Sequence, residues 1–414
     1  MVSDTHGATP GGADERLDLE EVAYEAEATP ERVRQLVEIG AIVPGPDGRF
    51  SRGDVARSRS VAAFEAGGFS LEQMATAIRE RETTFYALDL FYPDPGPRTG
   101  RSFAGFVASL GPRGHLVAPA LRAMGLPEPS PEAPTRVVEE ALVAGLVSAW
   151  SSVDEEYTLR AARIFGNAAR QAAEGWVALF GEAISGPIES QFDTIDETVP
   201  RLLKPATDLV ALAPKLLPWL LMRHVERTMN ELNIARIEAR LERRGLIATR
   251  PIHPPAVAFV DVSGYTRLTA AGGDELGARM AVRLGELAAS VVAEHGGRLV
   301  KLLGDGVLLR FDSVCDGVAV VARLMKAMTE SGLPPAHAGI HTGSLVERDG
   351  DIYGTTVNAA SRIATYAQPG ELLASTRAMD ECPDLAQHFE QIGKVELKGL
   401  AEPISLCRWL GHAH

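Results

Sequence analysis

Two aspartates, Asp261 and Asp305, stand at the ends of predicted strands, where carboxylates are free to bind ligands. Asp261 follows the apolar run Ala256–Val260, which predicts a buried strand. Asp305 lies at the tip of a predicted hairpin between the strand-like runs Leu299–Leu303 and Val307–Phe311. Mg²⁺ and Mn²⁺ prefer oxygen ligands and share them with substrate phosphates, and two-metal phosphoryl chemistry needs such a pair of carboxylates. The spacing therefore predicts a site for divalent cations and a phosphate-bearing substrate.

A second pair of polar residues, Asn358 and Arg362, lies four positions apart in Val357–Ala367, a segment of helical composition. Residues four apart leave the same face of a helix. An arginine fork on that face can neutralise charge that develops on a phosphate. The pair therefore extends the predicted chemistry from metal binding to phosphoryl transfer.

The C-terminal part, residues 254–409, resembles the catalytic domain of the class III adenylyl cyclases. The resemblance includes the motifs around Asp261 and Asp305, then His337-Ala-Gly-Ile-His-Thr-Gly343 and Leu397-Lys-Gly-Leu400, in the family's order and close to its spacing. It implies an α+β fold with a ferredoxin-like catalytic domain, and the alternation of strands and helices in this region favours the same fold. It also implies a homodimer in which two catalytic domains pair head to tail and share each active site.

Carried over residue by residue, the resemblance assigns roles around ATP. Asp261 and Asp305, with the Val262 carbonyl, would hold two Mg²⁺ or Mn²⁺ ions. Lys301 and Asp351 would read adenine, since an ammonium donates to ring nitrogen N1 and a carboxylate accepts from the exocyclic amine. Guanine presents the opposite pattern, so ATP is expected rather than GTP.

The remaining roles concern the ribose and the phosphates. Asn358 would orient the ribose and Arg362 would stabilise the charge of the transition state. Lys398 is a candidate for a terminal-phosphate contact, with a solvated turn lysine as the alternative. His337 stands where many relatives have a triphosphate-binding arginine, and it carries full charge only at acid pH. A strand-end histidine without a role is the other interpretation of His337.

Length, charge and composition limit the number of domains, the partners and the location that we expect for this protein. A chain of 414 residues predicts two or three domains, and the net charge of −14 argues against a protein that coats nucleic acid or binds anionic membranes. Residues 1–14 are polar and Gly-rich, which predicts a disordered N-terminus without a signal peptide. Three cysteines, Cys315, Cys382 and Cys407, have neither metal nor redox spacing, so a cytoplasmic location is expected.

The N-terminal segment, residues 15–90, resembles the winged helix-turn-helix of MerR-type regulators. Thr29-Pro30-Glu31 predicts the start of its second helix. From Glu15 to Arg59 there are ten acidic and seven basic residues, which would repel DNA as much as hold it. No stable DNA binding is therefore expected.

Residues 100–225 are predicted to form a helical regulatory region, which makes the whole N-terminal part all-α. A weak repeat places Val107-Ala108 and Leu121 eighty-five positions after Val22-Ala23 and Leu36. Phe103–Glu128 is therefore either a second, degenerate helix-turn-helix or a plain helical packing module.

Leu209–Met222 is too short and too interrupted by proline to span a bilayer, so a buried core helix is predicted, with a lipid-facing or fatty-acid-binding surface as the alternative. Residues 226–253 are predicted to form a linker helix into the catalytic domain, residues 254–414. A helix that abuts the first catalytic strand is suited to a switch.

These features predict a cytoplasmic, homodimeric adenylyl cyclase that makes 3′,5′-cyclic AMP and pyrophosphate and is regulated by its N-terminal region. A proton or a lipid is the expected type of signal. One alternative is a cyclase that accepts GTP, which Lys301 and Asp351 oppose. The other is a transcription regulator that uses a cyclase-like domain to sense nucleotides, which the retained Asp261, Asp305 and Arg362 oppose.

Overall fold

The computed structural model describes residues 16–80, 82, 96–149, 154–192, 194–248 and 253–411. The chain divides into two compact units, residues 1–239 and 240–414. The predicted disordered segment, residues 1–14, lies outside the described residues.

Four helices begin the first unit: α1 (Leu19–Glu25), α2 (Pro30–Glu38), α3 (Arg52–Ala66) and α4 (Leu71–Arg79). The predicted start of α2 is confirmed, because the Thr29 side chain accepts a hydrogen bond from Arg32 N and Pro30 occupies the first turn. An antiparallel bridge joins Leu17 to Phe50 just before α1 and α3. The helices expected in this segment are present, and the winged helix-turn-helix itself stays a prediction.

The next segment contains six elements: β1 (Arg98–Ser102), α5 (Phe103–Ser109), a 3₁₀ helix (Gly111–Leu116), α6 (Val117–Ala123), β2 (Pro134–Arg136) and α7 (Val137–Ala149). The prediction of an all-α region is wrong, because β1 and β2 pair as an antiparallel ribbon. Their residues are mostly polar and do not alternate with apolar ones, so the usual sign of a strand is missing. Ser102 pairs with Pro134 ahead of α5 and α7, just as Leu17 pairs with Phe50 ahead of α1 and α3. This recurrence favours the repeat over plain helical packing.

Long helices complete the unit: α8 (Glu155–Phe180), a π-helical turn (Gly181–Ser185), α9 (Gly186–Glu189) and α10 (Ile195–Arg243). The buried core helix predicted for Leu209–Met222 is wrong, since Trp219 and Met222 in α10 are each 58% exposed. An apolar run is buried only where another element packs against it. The predicted boundary between the regulatory region and the linker helix, at residues 225 and 226, lies inside α10. The predicted linker helix is therefore the C-terminal end of a longer helix. Among the helices in the described ranges, none is both long and apolar enough to cross a membrane.

The second unit contains a seven-stranded sheet with helices on both faces. Its elements are β3 (Ala256–Val262), α11 (Tyr265–Gly272), α12 (Asp274–His295), β4 (Arg298–Leu302), β5 (Gly306–Phe311), α13 (Val314–Glu330), β6 (Ala336–Thr342), β7 (Val346–Arg348), β8 (Asp351–Tyr353), α14 (Thr355–Tyr366), β9 (Leu372–Ser375), α15 (Thr376–Asp380), β10 (Phe389–Val395) and β11 (Ile404–Trp409). The strand order is β10-β11-β9-β6-β3-β5-β4, and β7 pairs with β8 in a separate ribbon. Among the strands that the structure describes in this sheet, β6 and β9 are the only parallel neighbours.

The two faces of β3 explain its unbroken apolar sequence. Ala258 and Val260 belong to the cluster that includes Leu284 of α12 and Val318 of α13. Val257, which precedes Ala258, packs on the opposite face with residues of α14 and β8. A strand buried on both faces has apolar residues at successive positions instead of alternating ones.

Cysteine pairing departs from the sequence prediction. Cys315 and Cys382 form a disulfide with a Cα–Cα distance of 5.5 Å, and Cys407 is free and buried. The two bonded residues are 67 positions apart. Such a pair has no spacing motif, because only the packing of α13 near the end of α15 brings its members together.

The close contact between β6 and α14 predicts that a methyl group added at Gly339 destabilises the fold. A Cβ at Gly339 would lie 2.1 Å from Ala364 N and 2.7 Å from Ala360 O, which are backbone atoms that cannot rotate away. We expect Gly339→Ala to lower the free energy of unfolding by about 1 to 3 kcal/mol, measured by thermal or urea unfolding. Gly175→Ala, whose Cβ would meet nothing within 4 Å in α8, should be neutral or stabilising. Equal stability of the two variants would contradict this packing.

Candidate metal and nucleotide site

Backbone pairing brings Asp261 and Asp305 to one edge of the sheet. Asp261 near the end of β3 pairs with Gly306, the first residue of β5. The Val262 amide donates to the Asp305 carbonyl at 2.8 Å, and the Leu303 amide donates to the Gly306 carbonyl at 2.7 Å. The predicted β4–β5 hairpin is confirmed, and its turn lies against the end of β3.

Gly306 makes this approach possible because it has no side chain. A Cβ there would lie 1.8 Å from Asp261 Oδ1, well inside the closest contact that two such atoms make. As the last residue of Gly304-Asp305-Gly306, Gly306 has the sequence context of a turn residue only. Its role beside a carboxylate depends on the β3–β5 register, which no local signal contains.

The electrostatics of the pair favour a bound cation. Burial and the neighbouring Asp305 raise the pKa of Asp261 to about 6. Among the described residues, neither carboxylate forms an ion pair with a lysine, arginine or histidine. Two close carboxylates without a protein cation, next to the Val262 carbonyl, are a fitting donor set for Mg²⁺ or Mn²⁺. No group of three or more His, Cys, Asp or Glu that would hold a metal occurs in the described part of the chain, so further ligands would come from substrate or water.

Lys301 and Asp351 meet although they are 50 positions apart. Lys301 Nζ lies 2.6 Å from Asp351 Oδ2, and Asp351 Oδ1 accepts from the Ile352 amide at 2.8 Å. Burial opposes ionisation of Asp351, but hydrogen bonds from Lys301 and Ile352 outweigh it and lower the pKa of this carboxyl. The pair presents an ammonium donor and a carboxylate acceptor side by side, both partly exposed.

Asn358 and Arg362 lie on the exposed face of α14, whereas Ala359, Ala360 and Ile363 on its other face are buried. The prediction that they share a face is confirmed. Lys398 is exposed in the turn before β11, and a Cβ on the next residue, Gly399, would lie 3.9 Å from Arg362 Nε. The turn that carries Lys398 therefore lies beside Arg362.

His337 differs from a permanently charged arginine. It pairs with Asp261 across β3 and β6, and its Nδ1 lies 3.0 Å from Ser263 Oγ. Burial lowers the pKa of His337, against the opposing effect of Asp305. The imidazole is therefore charged only at more acid pH than its ordinary pKa of 6.5 suggests. Ser263, two residues after Asp261, is its hydrogen-bond partner.

Three groups of candidate residues thus occur in one chain: the Asp261–Asp305 pair, the Lys301–Asp351 pair and the Asn358–Arg362 face. Within the described residues, no hydrogen bond or ion pair connects one group to another. Together they offer carboxylates for metal binding, a hydrogen-bond donor and acceptor suited to the edge of a planar base, and a positive charge suited to a phosphate.

Comparison with known proteins identifies similar cyclases. No family model matches the chain. It is 30% identical over 240 residues to an adenylate cyclase of Streptomyces coelicolor, a match that covers 58% of this chain and 59% of that protein. It is 32% identical over 159 residues to a pH-sensitive adenylate cyclase of Mycobacterium tuberculosis, covering 37% and 39% of the two proteins. An uncharacterised M. tuberculosis protein is 26% identical over 349 residues, 81% of this chain and 86% of that protein.

Solved structures of cyclases are similar to a smaller part of the chain. An adenylyl cyclase from P. aeruginosa has 21% identity and a TM-score of 0.35, covering 38% of this chain and 94% of that one. An adenylate/guanylate cyclase/hydrolase from Silicibacter pomeroyi has 29% identity and the same TM-score, covering 38% and 96%.

The carboxylate pair predicts a pH-dependent stability. Because the folded-state pKa of Asp261, about 6, is above its ordinary 3.8, ionisation of Asp261 destabilises the fold fully above pH 6 and not at all well below 3.8. In EDTA at pH 8, Asp261→Asn should therefore be more stable than wild type by about 1 to 2 kcal/mol. The advantage should shrink as the pH falls through 6 towards 4.

Mn²⁺ provides the complementary measurement. The metal should raise the melting temperature of wild type, since it binds the folded pair, and leave Asp261→Asn nearly unchanged. Asp384→Asn, which alters an exposed carboxylate in the 3₁₀ helix after α15, is the control and should behave as wild type. Equal stabilisation of all three proteins by Mn²⁺ would contradict a metal site at Asp261.

Proposed function

We propose that this chain is an adenylate cyclase that converts ATP to 3′,5′-cyclic AMP and pyrophosphate at a site shared by two copies. The observation that carries the proposal is the Lys301–Asp351 pair, a donor and an acceptor 2.6 Å apart in the same unit as the Asp261–Asp305 pair. Similarity to adenylate cyclases of Streptomyces and Mycobacterium supports it. The chain spans 59% of the length of the Streptomyces coelicolor relative, so the activity of the whole protein is part of the proposal.

The strand order supports a ferredoxin-like class III catalytic domain. From β3 to β6 the chain runs strand, helices, hairpin, helix, strand, and these four strands lie side by side as β6-β3-β5-β4. This is the split βαβ arrangement that βαββαβ folds adopt. It brings the end of β3 next to the β4–β5 turn, where the proposed metal ligands are.

Asp261, Asp305 and the Val262 carbonyl would hold two Mg²⁺ or Mn²⁺ ions. When bound, such ions lower the pKa of a hydroxyl and neutralise phosphate charge. The close approach of Asp261 and Asp305 makes the site strongly anionic, so MgATP or MnATP would be bound in preference to the metal-free nucleotide.

Lys301 and Asp351 would select the base. The Lys301 ammonium donates to adenine N1, and the ionised Asp351 accepts from the exocyclic amine. Their mutual hydrogen bond holds the two groups at one place before substrate arrives. Guanine offers a donor and an acceptor in the opposite order, so each pairing would be lost, at a cost of about 1 to 3 kcal/mol.

Asn358 and Arg362 would act on the ribose and the phosphates. Asn358 would orient the 3′-hydroxyl for attack on the α-phosphorus, and Arg362 would stabilise the negative charge that develops there. Lys398, in the turn beside Arg362, would contact the terminal phosphate. His337 would contribute positive charge to the triphosphate only at acid pH. Within the described residues, Asn358 and Arg362 form no hydrogen bond or ion pair with Asp261 or Asp305 of the same chain, which agrees with a site completed by a second copy.

The first unit would regulate the catalytic dimer. A winged helix-turn-helix of MerR type is proposed for residues 15–90, with a degenerate second copy that includes β1, α5, α6 and β2. Its acidic balance argues for regulation and against stable DNA binding. Protons are one candidate signal, because a relative is a pH-sensitive adenylate cyclase. Lipid is the other, because the apolar side chains of α10 are exposed.

Two alternatives make different predictions for purified protein. A GTP-specific cyclase would form cyclic GTP, which the order of donor and acceptor at Lys301 and Asp351 opposes. A nucleotide-sensing transcription regulator would bind DNA selectively and form no cyclic nucleotide. Assays of both cyclic nucleotides with Mn²⁺, beside a gel-shift with genomic DNA, distinguish the three.

A shared site predicts recovery of activity on mixing inactive variants. Asp261→Ala and Lys301→Ala should each be nearly inactive with ATP and Mn²⁺. In a 1:1 mixture, half of the dimers are mixed, and each has one of two sites intact, so about one quarter of wild-type activity should return.

Mixing Asp261→Ala with Asp305→Ala is the control. No site in that heterodimer has both aspartates from one chain, so the activity should stay low. A wild-type protein that forms no cyclic AMP would contradict the proposed activity. An active wild type whose first mixture stays inactive, although it dimerises, would contradict only the shared site.

Base selection predicts unequal losses with two substrates. Lys301→Glu combined with Asp351→Ser should lower kcat/KM for ATP far more than for GTP, because pairings with adenine alone are removed. Each lost pairing should raise the activation free energy that corresponds to kcat/KM for ATP by about 1 to 3 kcal/mol. Lys394→Glu, which repeats the Lys-to-Glu change at an exposed position in β10, should leave the ratio unchanged. Equal loss with both nucleotides would show that the pair does not read the base.

A further inference from the structure

The β7–β8 ribbon, residues 346–353, carries Asp351 and is called the arm here. Asp349 and Gly350 form its turn, both with positive φ, of 56° and 83°. This is the backbone of a tight two-residue hairpin, for which an Asp-Gly sequence is well suited. Asp351 follows the turn directly, so the position of the whole arm determines where its carboxylate lies.

The arm is not a strand of the large sheet, so side chains must hold it in place. It pairs only within itself, in two strands of three residues each. A two-stranded ribbon of this length is marginal alone. Ile352, 2% exposed, is one anchor, packed among Val257, Leu308 and Ala360.

Glu347, the cross-strand partner of Ile352, makes a second anchor through charge. Arg298 of β4 and Arg310 of β5 are direct cross-strand neighbours. Like charges placed opposite each other in an antiparallel pair repel. Glu347 of the arm lies between the two, with Oε2 3.1 Å from Arg298 Nη1 and Oε1 3.2 Å from Arg310 Nε.

Two acidic residues of the arm pair with basic residues of the hairpin beneath it. Arg298, Lys301 and Arg310 lie on β4 and β5, and Glu347 and Asp351 lie on the arm. No hydrogen bond or ion pair joins Glu347 to Lys301 in the described part of the chain, so we infer that Glu347 acts on the Lys301–Asp351 pair by holding the arm.

We propose that Glu347 is a positioning residue for base selection, which sets where Asp351 stands relative to Lys301. The proposal rests on the proposed function of that pair. Hydrogen-bonding groups that distinguish two bases need placement to within about 0.5 Å. An arm anchored by Ile352 alone remains folded but allows Asp351 to shift. Removing the Glu347 anchor should therefore lower the preference for ATP over GTP while kcat is retained.

Glu347→Gln tests the idea because it keeps the size of the side chain and removes its charge. The ATP-to-GTP ratio of kcat/KM should fall about fivefold, as expected for two partly exposed ion pairs. The change should appear mainly in KM for ATP, with kcat nearly unchanged. Exchanging the charges in Glu347→Arg with Arg298→Glu should restore part of the ratio.

Glu286→Ala is the matched control, since it removes a glutamate from an exposed ion pair with Arg283 in α12. It should leave the ratio as in wild type. Equilibrium binding of 3′-deoxy-ATP and 3′-deoxy-GTP, which lack the attacking hydroxyl, measures the same preference without turnover. A wild type that forms no cyclic AMP would contradict the proposed function, while the binding ratio would still test Glu347.

Two results would overturn the role of Glu347. One is a folded Glu347→Gln protein with an unchanged ATP-to-GTP ratio in both assays. The other is an equal loss for the two nucleotides that the charge exchange does not reverse, which would indicate a general role in stability.

Discussion

The close approach of Asp261 to Gly306 is the constraint on which the candidate site depends. Only a residue without a side chain leaves room for the Asp261 carboxylate at this point of the β3–β5 pairing. The same pairing brings Asp305 near enough to raise the pKa of Asp261. Two carboxylates in this arrangement are unfavourable in the folded chain until a cation neutralises them. The folded chain therefore carries local electrostatic repulsion at this point, which a divalent cation at the proposed site would relieve.

Packing on both faces of the sheet makes that strained arrangement tolerable. α12 and α13 bury one face of β3 and α14 buries the other, so the strand cannot slide without exposing apolar residues. Gly339 in β6 allows α14 to approach the sheet with backbone nearly in contact. The same helix has Asn358 and Arg362 on its exposed face, so core packing and the orientation of polar groups are decided together.

The position of Asp351 in the candidate site depends on ion pairs more than on apolar packing. The arm has few apolar contacts, and Ile352 is its buried anchor. Glu347 and Asp351 attach it further through partly exposed ion pairs, and each of these contributes little by itself. Placement of Asp351 thus depends on several weak interactions acting together, which is a reason to expect selectivity to be easier to alter than folding.

Much of the second unit was predictable from local sequence. The apolar run before Asp261, the Gly-Asp-Gly turn and the four-residue spacing of Asn358 and Arg362 follow from periodicity and turn chemistry, which act over a few residues. The start of α2 at Thr29 was predictable for the same reason, because a capping side chain bonds to its own helix.

Other features depended on contacts between distant segments. The β1–β2 ribbon lacks an alternating pattern, the Cys315–Cys382 disulfide joins residues 67 apart, and the exposure of α10 depends on what packs against it. The sequence by itself determined which groups are available for chemistry and which local elements carry them. Tertiary structure alone decided which groups meet, because strand register, helix packing and the pairing of Glu347 with two arginines arise from residues that are remote along the chain.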